Sequence, residues 1–331
     1  MVYNSILLDV FNLSYRKQGI SQNSTPIDIA NHMISYIEGD IKSHLATDGI
    51  IYLLYDPIPE LFHTDLKVSK NFRFTTERQD ICPNYKASRV GKPEVIEAVK
   101  FLKKYYTFRG EKIKTCISKF LEADDFVEDI IKKETGKIAL VSNDKDWARY
   151  ISDSVDMINK DFNKPYSTTE YFKEYGMMPT IASVTFRKAI FGDASDEIKP
   201  ISSIKKIKFY CDFDQICHNF LVDISTKNVP LKELTNYIRN TNSGDIVTMK
   251  EARSPFQEFL YTLYVADLPI HYEVHPVDLL MNNIRVIESR CKDADKYISW
   301  KKEDEKVNKL LDVTLGRVGV KKKVSFGKIK V

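Results

Sequence analysis

Nine acidic side chains in this chain fall into five separated clusters. They are Asp9 in SILLDVFN, Asp56 in IYLLYDP, Glu122, Asp124 and Asp125 in LEADD, Asp144 and Asp146 in VSNDKDW, and Asp193 and Asp196 in FGDASDE. Carboxylates gathered in one place repel one another unless some are protonated or a cation sits among them. A ligand set made only of oxygen suits hard divalent ions, Mg²⁺ first, with Mn²⁺ as its substitute. Nine such groups are enough for two ions. A pair of hard ions about 3.5–4 Å apart can hold and hydrolyse a phosphodiester.

Each cluster also has a plain structural reading. Glu122-Ala-Asp-Asp opens a helix, where carboxylates are favoured by the dipole and the free N–H groups. Ser142-Asn-Asp-Lys-Asp follows an apolar run, and Asn and Asp favour turns for local conformational reasons. Asp193 and Asp196, at i, i+3 spacing, face one way on an expected helical turn, where capping again is the simple account. Asp9 and Asp56 are different. Each ends a run of strand residues that reads as buried, where an unpaired carboxylate is expensive.

The elements that must position these groups follow from periodicity. Ile6 to Val10 reads as a short buried strand. Thr25-Pro26 gives a helix start, with Thr as N-cap and Pro at the first position. Ile27, Ala30, Ile34, Ile37, Ile41 and Leu45 then recur at helical spacing, and Gly49 is expected to stop that helix. Ile50 to Tyr55 is a second strand, Pro93 to Tyr106 a helix, Ile113 to Ser118 a third strand and Ile138 to Ser142 a fourth. Glu122 begins the helix between the last two, which Gly136 ends. This alternation to about residue 160 predicts an α/β fold, a mostly parallel sheet with helices on both faces. In such a sheet the carboxyl ends of the strands share one edge, so the acids converge there. After about residue 177 the pattern is helical, at 180–191, 212–224, 230–240, 252–265 and 276–292. The expected division is an α/β core carrying the acids over 1–178, with an excursion at 59–92, a helical region over 179–316 and a basic tail over 317–331.

With 43% hydrophobic and 29% charged residues, the 331-residue chain can bury a large core under a soluble surface. No apolar run approaches the roughly 18–20 residues of a membrane span, and the N-terminus reads directly as a strand rather than as a signal segment. Five cysteines without a CxxC pair argue against a disulfide framework or zinc site, and the six histidines are scattered. Neither a Walker loop nor a GxGxxG fingerprint occurs. A reducing, cytoplasmic location is expected, that of the host cell if the chain is phage-encoded. Between Asp56 and Glu122 lies a basic segment, Lys67, Lys70, Arg73, Arg78, Lys86, Arg89 and Lys92, interleaved with Phe62, Phe72, Phe74 and Tyr85. Cations neutralise phosphates and aromatic rings stack on unpaired bases.

The order LLDVFN, LYDP, YKASR, EADD, SNDKD and GDASD resembles the 5′ nuclease family, which includes flap endonucleases and 5′→3′ exonucleases. The resemblance runs from Asp9 to about residue 210. It implies a PIN-like fold with a helical arch at about 59–108 and a helix–hairpin–helix-like duplex-binding element beyond residue 179. One metal site would be built by Asp9, Asp56, Glu122 and Asp124, and a second by Asp144, Asp146, Asp193 and Asp196, with Asp125 nearby. Lys86 and Arg89 would contact the scissile phosphate at the foot of the arch, and Tyr85 would stack on the terminal base. The implied activity is Mg²⁺-dependent hydrolysis at 5′ ends or flap junctions of DNA, or of RNA primers, in replication or repair. The alternatives are a non-catalytic binder of branched DNA with the same fold and a PIN-type ribonuclease. The family's usual glycine hairpin, often with a bound K⁺, is absent from EIKPISSIKKIKF, so the backbone clamp and its K⁺ are not expected. Lys205, Lys206 and Lys208 are the substitutes for duplex contact. This glycine-poor version resembles the phage branch of the family, T-even phage ribonuclease H included. The chain is expected to act as a monomer on DNA or an RNA–DNA hybrid, with the basic tail available for a replication-protein contact.

Overall fold

The computed structural model describes residues 1–18, 24–58, 61, 77–86, 91–107, 112–118, 121–200, 213–227, 229, 232–233 and 276–288, all within one compact unit, Met1–Arg290. Arg89, Lys205, Lys206 and Lys208 lie outside the described residues. So do most of the helix expected at 230–240, the helix expected at 252–265, the 317–331 tail and most of the basic segment, Lys67, Lys70 and Arg73 included.

The described chain begins with β1 (Tyr3–Asp9), runs directly into α1 (Val10–Gln18), and continues through α2 (Pro26–Tyr36) to β2 (Leu45–Leu54). The short α3 (Glu77–Ile81) and the longer α4 (Pro93–Thr107) precede β3 (Ile113–Cys116), α5 (Ala123–Lys133) and β4 (Ile138–Val141). A 3₁₀ segment, Lys145–Tyr150, leads to β5 (Val155–Asp161) and β6 (Lys164–Tyr166). Then come α6 (Thr168–Tyr175), α7 (Ile181–Phe191), α8 (Phe213–Thr226) and α9 (Pro276–Glu288). Among the described residues no helix is long and apolar enough to cross a membrane.

The strands form one sheet in the order β3-β2-β1-β4-β5-β6, parallel except for the last pair. Strand β1 is central, and its side chains alternate between two cores, as a doubly covered strand requires. Ile6 and Leu8 join Ile51, Leu53, Ala139 and Val141 on one face, under Ile29, Met33, Val95 and Leu102 of α2 and α4. Leu7 points the other way, to Tyr52, Leu54, Leu140 and Met157, and to Val127 of α5. This second core runs on through Phe186 of α7, Phe220 of α8 and Leu280 of α9. The helical part beyond residue 178 therefore shares apolar packing with the sheet.

Local signals act where expected at the start of α2. Thr25 Oγ accepts from the Asp28 amide, the Asp28 carboxylate accepts from the Thr25 amide, and Pro26 opens the helix. The helix stop at Gly49 is corrected. After α2 the chain makes a π-helical turn at Ile37–Ile41, and β2 already begins at Leu45. Leu45 is opposite Tyr3, while Ser5 is opposite Ile50, so a bulge holds residues between them. Gly49 belongs to that bulge. A Cβ there would meet the Leu45 side chain at 2.7 Å and the Asn4 carbonyl oxygen at 3.0 Å. Pairing with β1 thus turns Leu45 from a helical position into a strand residue, which local periodicity does not reveal.

Candidate metal centre

The four parallel neighbours β3, β2, β1 and β4 end at the same edge, and the acids leave from their ends. Asp9 is the last residue of β1, Asp56 follows β2, Glu122 and Asp124 follow β3, and Asp144 follows β4. Asp9 is buried. It accepts from the Asn12 amide at 3.0 Å and from Ser142 Oγ at 3.1 Å. Two neutral hydrogen bonds do not offset its surroundings. Burial, with Asp56, Asp124 and Asp144 nearby, holds its carboxyl well above the usual carboxylate range. Asp56, which accepts from the Ala123 amide at 3.0 Å, is raised by burial and by Glu122 and Asp124, with Lys86 opposing. Burial, Asp146 and Asp124 push Asp144 up to about 7. Burial and crowding thus raise several carboxyls at one edge, a repulsion that a bound cation would relieve.

Glu122 and Asp125 carry the capping role that the sequence allows, and more. The Glu122 amide donates to Asp125 Oδ2 at 2.9 Å, which stabilises the start of α5. The Glu122 carboxylate faces the site, where Arg78, Tyr85 and Lys86 donate to its Oε2 at 2.8, 3.0 and 2.6 Å. Burial alone would raise Glu122, but Lys86 and Arg78 outweigh it and hold the carboxyl low. Asp124 accepts from Trp147 Nε1 at 2.6 Å.

The loop carrying Asp193 and Asp196 is not the helical turn expected from their spacing. It is a turn closed by paired backbone hydrogen bonds between Asp193 and Ile198, both 2.9 Å. Gly192 (φ +71°) makes the entry, and a Cβ there would lie 2.5 Å from the Pro200 nitrogen. The turn still aims both acids one way. Carboxylate oxygens of Asp146, Asp193 and Asp196 all lie within 4.8 Å of one another, close enough to share an ion. Lys188 Nζ sits among them, 2.5 Å from Asp146, 3.1 Å from Asp193 and 2.7 Å from Asp196. Although burial opposes it, these acids hold the Lys188 ammonium protonated far above its ordinary range.

Lys86 joins the two groups of acids. Its Nζ is 2.6 Å from Glu122 and 3.7 Å from Asp196, and its amide donates to the Asp196 carbonyl at 3.3 Å. It sits at φ +52°, and Glu197, the residue after Asp196, at φ +58°. Non-glycine residues in this region are strained, and such strain concentrates at functional sites. Tyr85 is buried, with Lys86 Nζ 5.1 Å from its ring centre.

Sequence reasoning did not single out Lys188, Arg149 or Trp147, and it grouped Arg78 with basic residues open to phosphate. The structure instead buries Arg78 against Glu122 and Asp125. One signal was readable. Lys188 follows Val184 by one helical turn in IASVTFRKAIF, which puts it in line with an apolar position, and a buried lysine needs acidic partners. Together Tyr85, Asp124, Asp146, Arg149, Lys188 and Asp196 line a small cleft.

A mostly parallel sheet that gathers carboxylates at one edge around a cleft defines a resolvase-like α/β protein with a candidate metal centre. Residues 38–176, less than half of the chain, match the 5′-3′ exonuclease N-terminal resolvase-like domain. A 5′-3′ exonuclease of Buchnera aphidicola subsp. Acyrthosiphon pisum (strain APS) is 26% identical over 188 residues, covering 54% of this chain and 64% of that relative. The chain thus spans just under two thirds of the curated relative's length. Among solved structures, T5 5′-exonuclease with bound zinc covers 86% of this chain and 88% of its own, at 18% identity and a TM-score of 0.51. A T5 protein co-crystallised with metal ions gives 17% identity, 86% and 89% coverage, and a TM-score of 0.51. These two share the fold. Over residues 38–176 the chain is similar to the 5′ nuclease family.

Proposed function

We propose that this protein is a divalent-metal-dependent 5′ nuclease acting on DNA at 5′ ends, flaps or single-strand/duplex junctions. The observation that carries this reading is the convergence of the carboxylates of five separated sequence clusters on one sheet edge. Three of these carboxylates lie within 4.8 Å of one another. The donor set fits a hard cation, since only carboxylate oxygens are offered and the most crowded carboxyls are raised by one another's charge. Asp9, Asp56, Glu122 and Asp124 would hold one Mg²⁺ or Mn²⁺, and Asp144, Asp146, Asp193 and Asp196 a second, with Asp125 behind them. Bound there, the ions would supply a clamp on the scissile phosphate and an acidified water.

The chain's own residues would do the rest. Lys86, kept protonated by Glu122, Tyr85 and Asp196 against the effect of burial, cannot take up a proton at neutral pH. Its role is to neutralise charge that develops on the phosphate in the transition state, and Arg89 shares that role. Tyr85 supports Glu122 and lies beside Lys86, where a terminal base would approach. Lys205, Lys206 and Lys208 would meet duplex phosphates, which fixes register without reading sequence. In this reading residues 1–178 carry the chemistry, 179–316 grip duplex, and the 317–331 tail is left for a protein partner. The relative's name and the metal-bound T5 structures support the same reading.

The test is incubation with end-labelled flap, nicked, blunt and RNA-primed substrates, with Mg²⁺ or with chelator, followed by end analysis. Cleavage that needs the metal and leaves 5′-phosphates is expected. Full activity in excess chelator, or products ending in 3′-phosphate, overturns the proposal.

A further inference from the structure

The C-terminal turn of α9 meets the acid cluster through a buried guanidinium. Arg78, on α3, donates from Nε to the Val286 carbonyl at 3.0 Å and from Nη2 to the Ile287 carbonyl at 3.5 Å. Its other edge donates to Glu122 Oε2 at 2.8 Å and to both oxygens of Asp125, at 2.6 and 3.2 Å. The side chain is 6% exposed, and the two carboxylates 5% and 4%. A planar fork of five donors can serve a carbonyl pair and a carboxylate pair at once, which an ammonium cannot. A second arginine grips the same helix end. Arg149 Nη1 donates to the Glu288 carboxylate at 2.8 Å, and the Thr185 hydroxyl donates to the same oxygen. A helix C-terminus presents unpaired carbonyls and partial negative charge, so buried cations are favoured there. Helix α9 lies far beyond residue 176 in sequence, yet it packs on both α3 and α7, the latter carrying Lys188 into the cleft.

We infer that Arg78 is a positioning residue through which α9 acts on the acids of the metal centre. It fixes Glu122 and Asp125, which stand two residues before and one residue after Asp124 in LEADD, against the last turn of α9. Docking of α9 and binding of a divalent cation are therefore energetically linked. This rests on the metal-dependent reading above. Linkage is reciprocal, so if docked α9 favours the cation, the cation must hold α9 more firmly docked.

Hydrogen exchange of peptides covering 276–288, in the full chain with and without Mn²⁺, reads this directly. Mn²⁺ affinity, from the electron paramagnetic resonance of free Mn²⁺, is measured beside it. In the wild type, Mn²⁺ should slow exchange of α9 several-fold. In Arg78→Lys, held at a temperature where circular dichroism shows it folded, Mn²⁺ should bind about tenfold or more weakly. The exchange of α9 should then no longer respond to the ion. Glu288→Gln, which loosens the grip of Arg149 and Thr185 but not that of Arg78, should keep the response. An Arg78 with a merely structural role would lower the melting temperature and leave both readouts alone. Should Arg78→Lys fail to fold, the wild-type exchange decides by itself. Wild-type protein that binds Mn²⁺ with no change in α9, or a folded Arg78→Lys that binds like wild type, overturns the inference. Wild-type protein that binds no Mn²⁺ at all overturns the metal-dependent reading and this inference with it.

Discussion

Asp144 shows how burial and neighbouring charge set the behaviour of one residue. Its carboxyl is pushed up to about 7 by burial, Asp146 and Asp124, and Asp125 is pushed up to about 6, mainly by burial. The folded chain holds these protons more tightly than the unfolded chain. The stability they contribute is complete below about pH 4 and is lost as pH rises towards about 7. Glu122 and Asp193, held low by Lys86 and Lys188 against the effect of burial, act with the opposite sign, but only at the acid end. In chelator, the melting temperature should therefore fall between about pH 5 and 8, and Asp144→Asn should flatten that fall and melt higher at the alkaline end. A wild-type melting temperature that climbs over this range contradicts the assignment. Lys86 makes a different prediction, because its proposed work is in the transition state. Lys86→Ala leaves Glu122 paired with Arg78 and Tyr85. It should lower the single-turnover rate by a hundredfold or so while changing substrate affinity by only a few-fold. Near-wild-type turnover would remove Lys86 from the chemistry.

At the scale of elements, the loop after α7 is the most demanding piece of backbone in the centre. Gly192 enters it at φ +71°, with the Ile198 carbonyl oxygen and the Pro200 nitrogen within 2.6 Å of where a Cβ would stand. Gly192→Ala should cost on the order of 2 kcal/mol or more of stability, from backbone strain and the forced shift together. It should also weaken Mn²⁺ binding, since Asp193 and Asp196 move with the loop. Gly39→Ala is the matched control. A Cβ there meets nothing within 4 Å, so the change should be neutral or stabilising by up to about 1 kcal/mol. Denaturant unfolding of the two variants measures the contrast, and equal effects would show that the Gly192 loop is looser than its geometry implies.

For the whole molecule, the proposed metal binding would couple to the fold through the carboxyl protons. A cation that binds only the folded chain stabilises it by about 2.7 kcal/mol at a hundredfold excess over its dissociation constant. Saturating Mg²⁺ should therefore raise the melting temperature, and chelator should reverse the rise. Because the ligands must lose protons, the affinity should increase with pH across about 6 to 7. Calorimetric titration at several pH values checks this, and an affinity independent of pH would mean that Asp144, pushed up to about 7, is not a ligand.

How much of this is legible in the chain alone depends on how local the cause is. The apolar run before Asp9, the Thr25-Pro26 helix start and the strand–helix alternation are local, and they predict a parallel sheet with its acids at one edge. The motif order from Asp9 to Asp196 carries the family resemblance, because most of its acids, Asp9, Asp56 and Asp144 among them, sit beside their own strand end. What the sequence could not set is the pairing of distant groups. Leu45 is a strand residue because Tyr3 lies beside it, and that contact overrides helical spacing. Asp193 and Asp196 sit in a turn closed by Ile198 rather than on a helix. Lys188 and Arg78 read as one more lysine on α7 and one more base in a charged segment. Only folding places them among carboxylates contributed by residues 122 to 196, and only packing brings the end of α9 to Arg78. Pattern and propensity act over a few residues, whereas the electrostatics of the centre are decided by neighbours far away in sequence.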